Sequence, residues 1–141
     1  VIGPILTSLS RLAPPPGTTS LVVAPVLVRF GVGAVGGLPA QLQALGVARP
    51  MVVTGADIVA IGLVDGVRAS LSESTLWDGD VEAEAVARFR EDARDGLVAL
   101  GGGSVIAAAG SMRAALGGPP LVAIPTTSGP GVEMIAASAS L

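Results

Sequence analysis

Short uncharged apolar runs recur along this chain, separated by stretches in which apolar residues return at helical spacing. Pro50–Thr54, Gly96–Leu100 and Leu121–Ile124 predict buried strands. A strand covered on both faces reads as a continuous hydrophobic run, not as an alternation. Ser74–Trp77 predicts a further short strand, closed by the turn signal Asp78-Gly79. Ile58–Leu71 is helical in pattern, interrupted by Gly62 and Gly66. Val81–Ala93 is the clearest helix: Val81, Ala85, Val86 and Phe89 share one face, and Glu82, Glu84, Arg88 and Glu91 occupy others. Strands alternating with helices predict an α/β fold, a parallel sheet with helices on both faces.

The start of the chain reads differently. Pro14-Pro15-Pro16-Gly17 cannot continue a helix or a central strand, and Thr18-Thr19-Ser20 is turn-like. Residues 1–20 are therefore expected to form a flexible arm, and residues 21–141 one domain. Leu21–Phe30 reads as extended, with Pro25 marking an edge or a break. Leu38–Leu45 predicts a short helix, with Pro39 in its first turn and Gly46 just past its end.

Composition narrows the chemistry. The 141 residues are 50% hydrophobic, and Phe30, Phe89 and Trp77 are the only aromatics. Such a core must pack many small side chains. The formal charge is −3 and all 8 basic residues are arginines, so no basic patch points to nucleic acid. Cysteine and histidine are both absent, which excludes thiolate catalysis, imidazole bases and imidazole or thiolate metal ligands from this sequence. Lysine and tyrosine are absent too.

Gly96–Met112 and Ala114–Val132 are free of charge, but glycines and prolines interrupt them and Arg113 separates them. A spanning helix needs roughly 20 continuous apolar residues, so these read as buried core and no membrane partner is expected. The first residues show neither a basic n-region nor a cleavage site, and the expected location is cytoplasmic. Val1 stands where a start would carry Met, consistent with a fragment or a processed start.

Two glycine-rich turns are candidate phosphate cradles. Gly31-Val32-Gly33-Ala34-Val35-Gly36 fits G-x-G-x-x-G, with Asp57 beyond the next strand where a ribose-binding acid is expected. A tight strand-to-helix turn explains the same glycines. Gly101-Gly102-Gly103-Ser104 follows the Gly96–Leu100 strand, and after one helix and one strand Pro125-Thr126-Thr127-Ser128-Gly129 returns. Three glycines let the backbone turn and approach a ligand, and a helix beginning at Ser104 would aim free N–H groups at it. Ser104 would serve as the helix N-cap or as a direct phosphate contact, with the Thr126 and Thr127 hydroxyls meeting the same ligand. This pairing of blocks makes the second cradle the more specific, for a phosphate or a dinucleotide.

These residues also carry a family resemblance. Phe30–Ala34, Val52-Val53-Thr54, Gly62–Asp65, Trp77-Asp78-Gly79, Leu100–Ser104 and Pro125–Glu133 appear in the order found in iron-containing alcohol dehydrogenases and the related maleylacetate reductases. The chain resembles the N-terminal, Rossmann-like dinucleotide-binding portion of such an enzyme from about Val26 to Glu133. The resemblance implies NAD or NADP as cofactor, with its pyrophosphate at Gly101, Gly102, Gly103 and Ser104 and with Thr126 and Thr127 beside it. It further implies a divalent metal, iron or zinc, held by an aspartate and histidines of a helical C-terminal domain that this sequence does not contain. A homodimer paired through edge strands is a further expectation.

The chain departs from the family pattern at several places. Ala107 and Gly110 stand where the family has an acid and a lysine after the glycine block. Gly55 stands where an aspartate commonly binds the ribose hydroxyls, leaving Asp57 as its substitute. Pro130 and Val132 replace small hydroxyl residues. Asp57, Asp78, Asp80 and Glu133 have the chemistry of a hard-cation site without its spacing. The leading expectation is thus the NAD(P)-binding portion of a metal-dependent alcohol dehydrogenase, inactive alone. A dehydroquinate synthase-like domain and a non-catalytic interaction module of the same fold are the alternatives.

Overall fold

The computed structural model describes residues 16–23 and 26–127. The chain divides into two compact units, Val1–Val47 and Ala48–Leu141, where the sequence suggested one domain after the arm. Residues 1–15 of the expected arm lie outside the described residues, whereas Thr18–Ser20 already belong to a strand.

In the first unit β1 (Thr18–Val23) and β2 (Val26–Gly31) pair antiparallel, from Thr18 opposite Gly31 to Val23 opposite Val26. The extended stretch expected over Leu21–Phe30 is therefore two strands, with Pro25 between them. A proline lacks the N–H a strand interior needs, which fits a break in the extended stretch at that position. A 3-10 turn (Ala34–Gly37) follows Gly33, whose φ of 81° suits glycine, and leads into α1 (Leu38–Ala44) with Pro39 in its first turn.

The second unit is a parallel sheet. β3 (Pro50–Thr54), β4 (Thr75–Trp77), β5 (Gly96–Gly101) and β6 (Leu121–Pro125) lie in the order β4-β3-β5-β6. β3 and β5 are buried along their whole length, as their uncharged sequences require. The connections carry α2 (Ala56–Ala60), α3 (Leu63–Ala69), α4 (Glu82–Glu91) and α5 (Gly103–Ala115). Met51, Val53, Leu97 and Ala99 point to one face, where they pack with Ala85 and Phe89 of α4 and Ile106, Ala109 and Met112 of α5. Val52, Val98 and Leu100 alternate to the opposite face and are buried too. The connection from β3 to β4 carries α2 and α3, whose Ile58, Val64 and Val67 are buried; the right-handed rule for such crossovers puts these helices on that face.

Two glycines expected to interrupt one helix behave differently. Gly62, at φ 75°, separates α2 from α3, whereas Gly66 stays inside α3. Val81 is the extended N-cap of α4 and is 49% exposed, so it does not share the buried face of Ala85 and Phe89.

Three helices end in the same way. Val47, Arg94 and Gly118 donate their amides to Leu42, Phe89 and Arg113, closing the wide turn of a Schellman cap. The left-handed position is Gly46 after α1 and Gly117 after α5, but Ala93 after α4, at φ 50°. An L residue with a Cβ pays for that conformation. Ala93→Gly is expected to stabilise the protein by about 0.5–1 kcal/mol, read as a raised denaturant midpoint with unchanged slope.

The amino edge of the sheet is held by charge. Asp95 accepts the amides of Ala48 at 2.9 Å and Arg49 at 2.8 Å, fixing the start of β3 beside β5. Glu73 pairs with Arg94 at 2.9 Å and Arg49 at 3.2 Å. The Thr75 hydroxyl donates to Asp92 at 2.8 Å, and this bond, helped by Arg88, holds the Asp92 carboxyl below its ordinary range against its partial desolvation. Asp92 thus contributes stability above the ordinary carboxylate range, and that contribution disappears as pH falls through its lowered value. Asp92→Asn should destabilise the protein at neutral pH and lose that effect progressively below the ordinary range, measured by urea unfolding across pH.

Candidate functional site

β3 is flanked by β4 on one side and by β5 on the other, so the chain leaves the ends of β3 and β5 in opposite directions. Such a reversal of strand order opens a crevice at the carboxyl ends, where open α/β sheets bind ligands. The glycine block Gly101-Gly102-Gly103 closes β5 at this point, and Thr54-Gly55 closes β3. The buried Thr54 hydroxyl donates to the Leu100 carbonyl at 2.7 Å and ties the two strand ends together. The Thr126 amide donates to the Gly101 carbonyl at 3.0 Å, bringing the end of β6 to the same loop.

The three glycines have different structural reasons. A Cβ on Gly101 would lie 2.8 Å from both Cβ and Cγ2 of Val105, so the turn into α5 requires glycine there. A Cβ on Gly102 would meet Thr127 at 3.4 Å, an ordinary contact, and on Gly103 nothing within 4 Å. Gly102, at φ −80°, is not in a left-handed conformation. Among the described residues, neither internal sterics nor backbone angle demands glycine at 102 or 103. What their bare backbone provides is open space in front of a helix N-terminus.

That helix begins at Gly103, with Gly102 as N-cap and no side-chain cap. Ser104 is therefore not the N-cap expected from the sequence. It is the second residue of the helix, exposed, with its hydroxyl free of capping duty. The first intrahelical bond runs from the Ile106 amide to the Gly102 carbonyl at 3.1 Å. The amides of Gly103, Ser104 and Val105 precede it and have no intrahelical acceptor. They form a donor cluster at the positive end of the 13-residue helix α5, suited to an anion. The structure thus brings Gly101, Gly102, Gly103, Thr126 and Thr127 together, with Ser104 in the adjoining turn.

A match of the iron-containing alcohol dehydrogenase family pattern spans residues 25–140. The chain belongs to that family. It is 32% identical to 4-hydroxybutyrate dehydrogenase of Cupriavidus necator, across 76% of this chain and 36% of that protein. The crystal structure of an iron-containing alcohol dehydrogenase from Corynebacterium glutamicum matches at 27% identity and a TM-score of 0.59, over 67% of this chain and 28% of that one. Sulfoacetaldehyde reductase from Bifidobacterium kashiwanohense, solved in complex with NAD+, shares the fold at 19% identity and a TM-score of 0.67, over 72% and 34% of the two chains. The chain spans about a third of the length of its curated relatives (36% of the first).

Membership in the alcohol dehydrogenase family sharpens the departures. Ala107 is exposed on α5 and Gly110 is buried in it, so neither offers a polar group to the crevice. The first glycine motif, Gly31 to Gly36, follows an antiparallel hairpin strand and enters a 3-10 turn. The strand-turn-helix of a βαβ unit, which gives that motif its phosphate-binding geometry, is not its context. Ser128, Gly129, Pro130, Val132 and Glu133 lie outside the described residues. Among the described residues no group of three or more His, Cys, Asp or Glu could hold a metal, and no helix is long and apolar enough to cross a membrane.

Two contributors escaped the sequence reading: Thr54 as the tie between strands and Val105 as the wedge over Gly101. Asp57, expected as the substitute ribose acid, folds back on Gly55. Only Thr54 left a signal, as a lone polar residue ending a buried run. Gly101→Ala is expected to destabilise the protein by about 1–3 kcal/mol through overpacking, and Val105→Ala in the same chain should recover part of that loss. Urea unfolding of the two single variants and the double variant measures the coupling.

Proposed function

We propose that the carboxyl edge of this sheet binds the pyrophosphate of NAD(P), and that the chain is the cofactor-binding portion of an alcohol dehydrogenase-type oxidoreductase. The observation that carries the reading is the pair Gly102 and Gly103. Their missing side chains leave the backbone open at the start of α5, where three unbonded amides converge. Family membership supplies the ligand class, and the NAD+ complex of the sulfoacetaldehyde reductase supports it.

In this reading the amides of Gly103, Ser104 and Val105 donate to phosphate oxygens. Gly101 gives the turn that aims them, and the Ser104 hydroxyl donates to the same anion from the first helical turn. Thr126 and Thr127 flank the dinucleotide from the end of β6. The bound nicotinamide supplies hydride exchange with an alcohol or carbonyl, and this chain's residues hold and orient the cofactor for it. The family's metal is a different matter. With no histidine or cysteine in the sequence, the residues present do not fit a metal that polarises a substrate oxygen, and no step runs through one here. The 141-residue chain by itself is accordingly expected to bind dinucleotide without oxidising alcohols.

Trp77, the single tryptophan, ends β4 beside β3 and reports on this edge. NADH should quench its emission saturably and show sensitised nicotinamide fluorescence. Gly102→Val should weaken binding by at least about tenfold, a loss of roughly 1.4 kcal/mol, while leaving far-UV circular dichroism unchanged. Absence of saturable NADH and NADPH binding by the parent chain would overturn the reading. Robust alcohol oxidation by this chain alone would overturn the division of labour between cofactor and metal.

A further inference from the structure

We infer that the crevice is selective for the non-phosphorylated dinucleotide, NAD(H) over NADP(H), and that the Asp57 carboxylate is the determinant. The inference rests on the dinucleotide reading above and names which ribose that site accepts.

Two independent observations support it. The first is the placement of Asp57. A Cβ built on Gly55 would lie 2.5 Å from Asp57 Oδ1 and 3.7 Å from Val105 Cγ2. The Asp57 carboxylate is thus folded back over the end of β3, in the space that a side chain at position 55 would take. Val105, beside it, also covers Gly101, so the carboxylate stands on the crevice next to the glycine loop. Asp57 is exposed and makes no salt bridge among the described residues. A free carboxylate one strand away from a phosphate cradle accepts hydrogen bonds from the vicinal hydroxyls of a ribose. It repels a phosphate on the 2′ oxygen.

The second observation is where the arginines are. Arg49 and Arg94 pair with Glu73, Arg88 with Asp92, and Arg68 donates to Ser74. Arg90 and Arg113 donate to the carbonyls of Ala115 and Pro119. All of these acceptors lie at helix C-termini or just before strands, which is the amino edge of the sheet. Every described arginine of this unit is engaged at the end away from the crevice. None stands at the carboxyl edge to neutralise a 2′-phosphate, the role a guanidinium plays where NADP is preferred.

The test compares NADH with NADPH by energy transfer from Trp77, in the parent chain, Asp57→Asn, the swap Gly55→Asp with Asp57→Ala, and Gly102→Val. NADH is expected to bind the parent at least about tenfold tighter than NADPH. Asp57→Asn should erase most of that ratio, chiefly by weakening NADH and relieving NADPH. The swap returns a carboxylate to the end of β3 after vacating the space it needs, and should restore the preference. Added salt should narrow the parent's ratio, because part of it is charge repulsion at an exposed site. An NADH to NADPH ratio unchanged in Asp57→Asn, with Gly102→Val still abolishing both, would overturn the role of Asp57 and leave the cradle standing. Equal binding of both dinucleotides by the parent would overturn the selectivity. Binding of neither would overturn the cradle and Asp57 together.

Discussion

The parallel pairing of β3 with β5 is the constraint on which the second unit depends. Both strands are buried throughout, and their neighbours lie on opposite sides. Their connections must therefore part company at the carboxyl edge, and a crevice follows from topology before any side chain is considered. The Thr54 to Leu100 hydrogen bond keeps the pair closed up to the last residue. Immediately beyond it the backbone turns under Val105 with no space for a Cβ. The tightness of that turn brings the start of α5 back over the sheet and aims its free amides outward.

The two edges of the sheet have opposite chemistry, and helix polarity explains why. Helices in right-handed crossovers run antiparallel to their strands, so their C-termini collect at the amino edge and their N-termini at the carboxyl edge. Guanidinium groups gather where the helix dipoles are negative, as Arg88, Arg90 and Arg113 do. There they close onto Asp92 and the carbonyls of Ala115 and Pro119, while Arg49 and Arg94 close onto Glu73. The carboxyl edge keeps bare amides and the Asp57 carboxylate. An edge closed by ion pairs and an edge of open amides thus separate without any single residue being responsible for both.

Most of the sheet was legible because a buried parallel strand has an unmistakable composition. Pro50–Thr54 is observed with those limits, and the other strands within a residue of their expected ends. What was not legible depended on distances between segments. Gly62 and Gly66 look equivalent in sequence, yet only Gly62 takes a left-handed φ, because a break there lets α2 and α3 each bury an apolar face. Ser104 has the residue type of an N-cap, but the tight turn at Gly101 starts the helix at Gly103, ahead of it. The sequence marked Leu21–Phe30 as extended with an edge or break at Pro25, but the antiparallel pairing of β1 with β2 is not written in hydrophobic pattern.

By itself the sequence determined the secondary-structure alphabet, the presence of a glycine block and a threonine block at the ends of two buried strands, and the exclusion of histidine and cysteine chemistry. Those properties are local or compositional, and no folding is needed to state them. Tertiary structure alone decided which glycine block faces a crevice, that Gly101 serves the fold while Gly102 and Gly103 leave space, and that the carboxylate of Asp57 lies over Gly55. The reason is that each of these is a contact across a strand end or a turn. Such contacts are set by the order of strands in the sheet, which hydrophobic patterning does not encode.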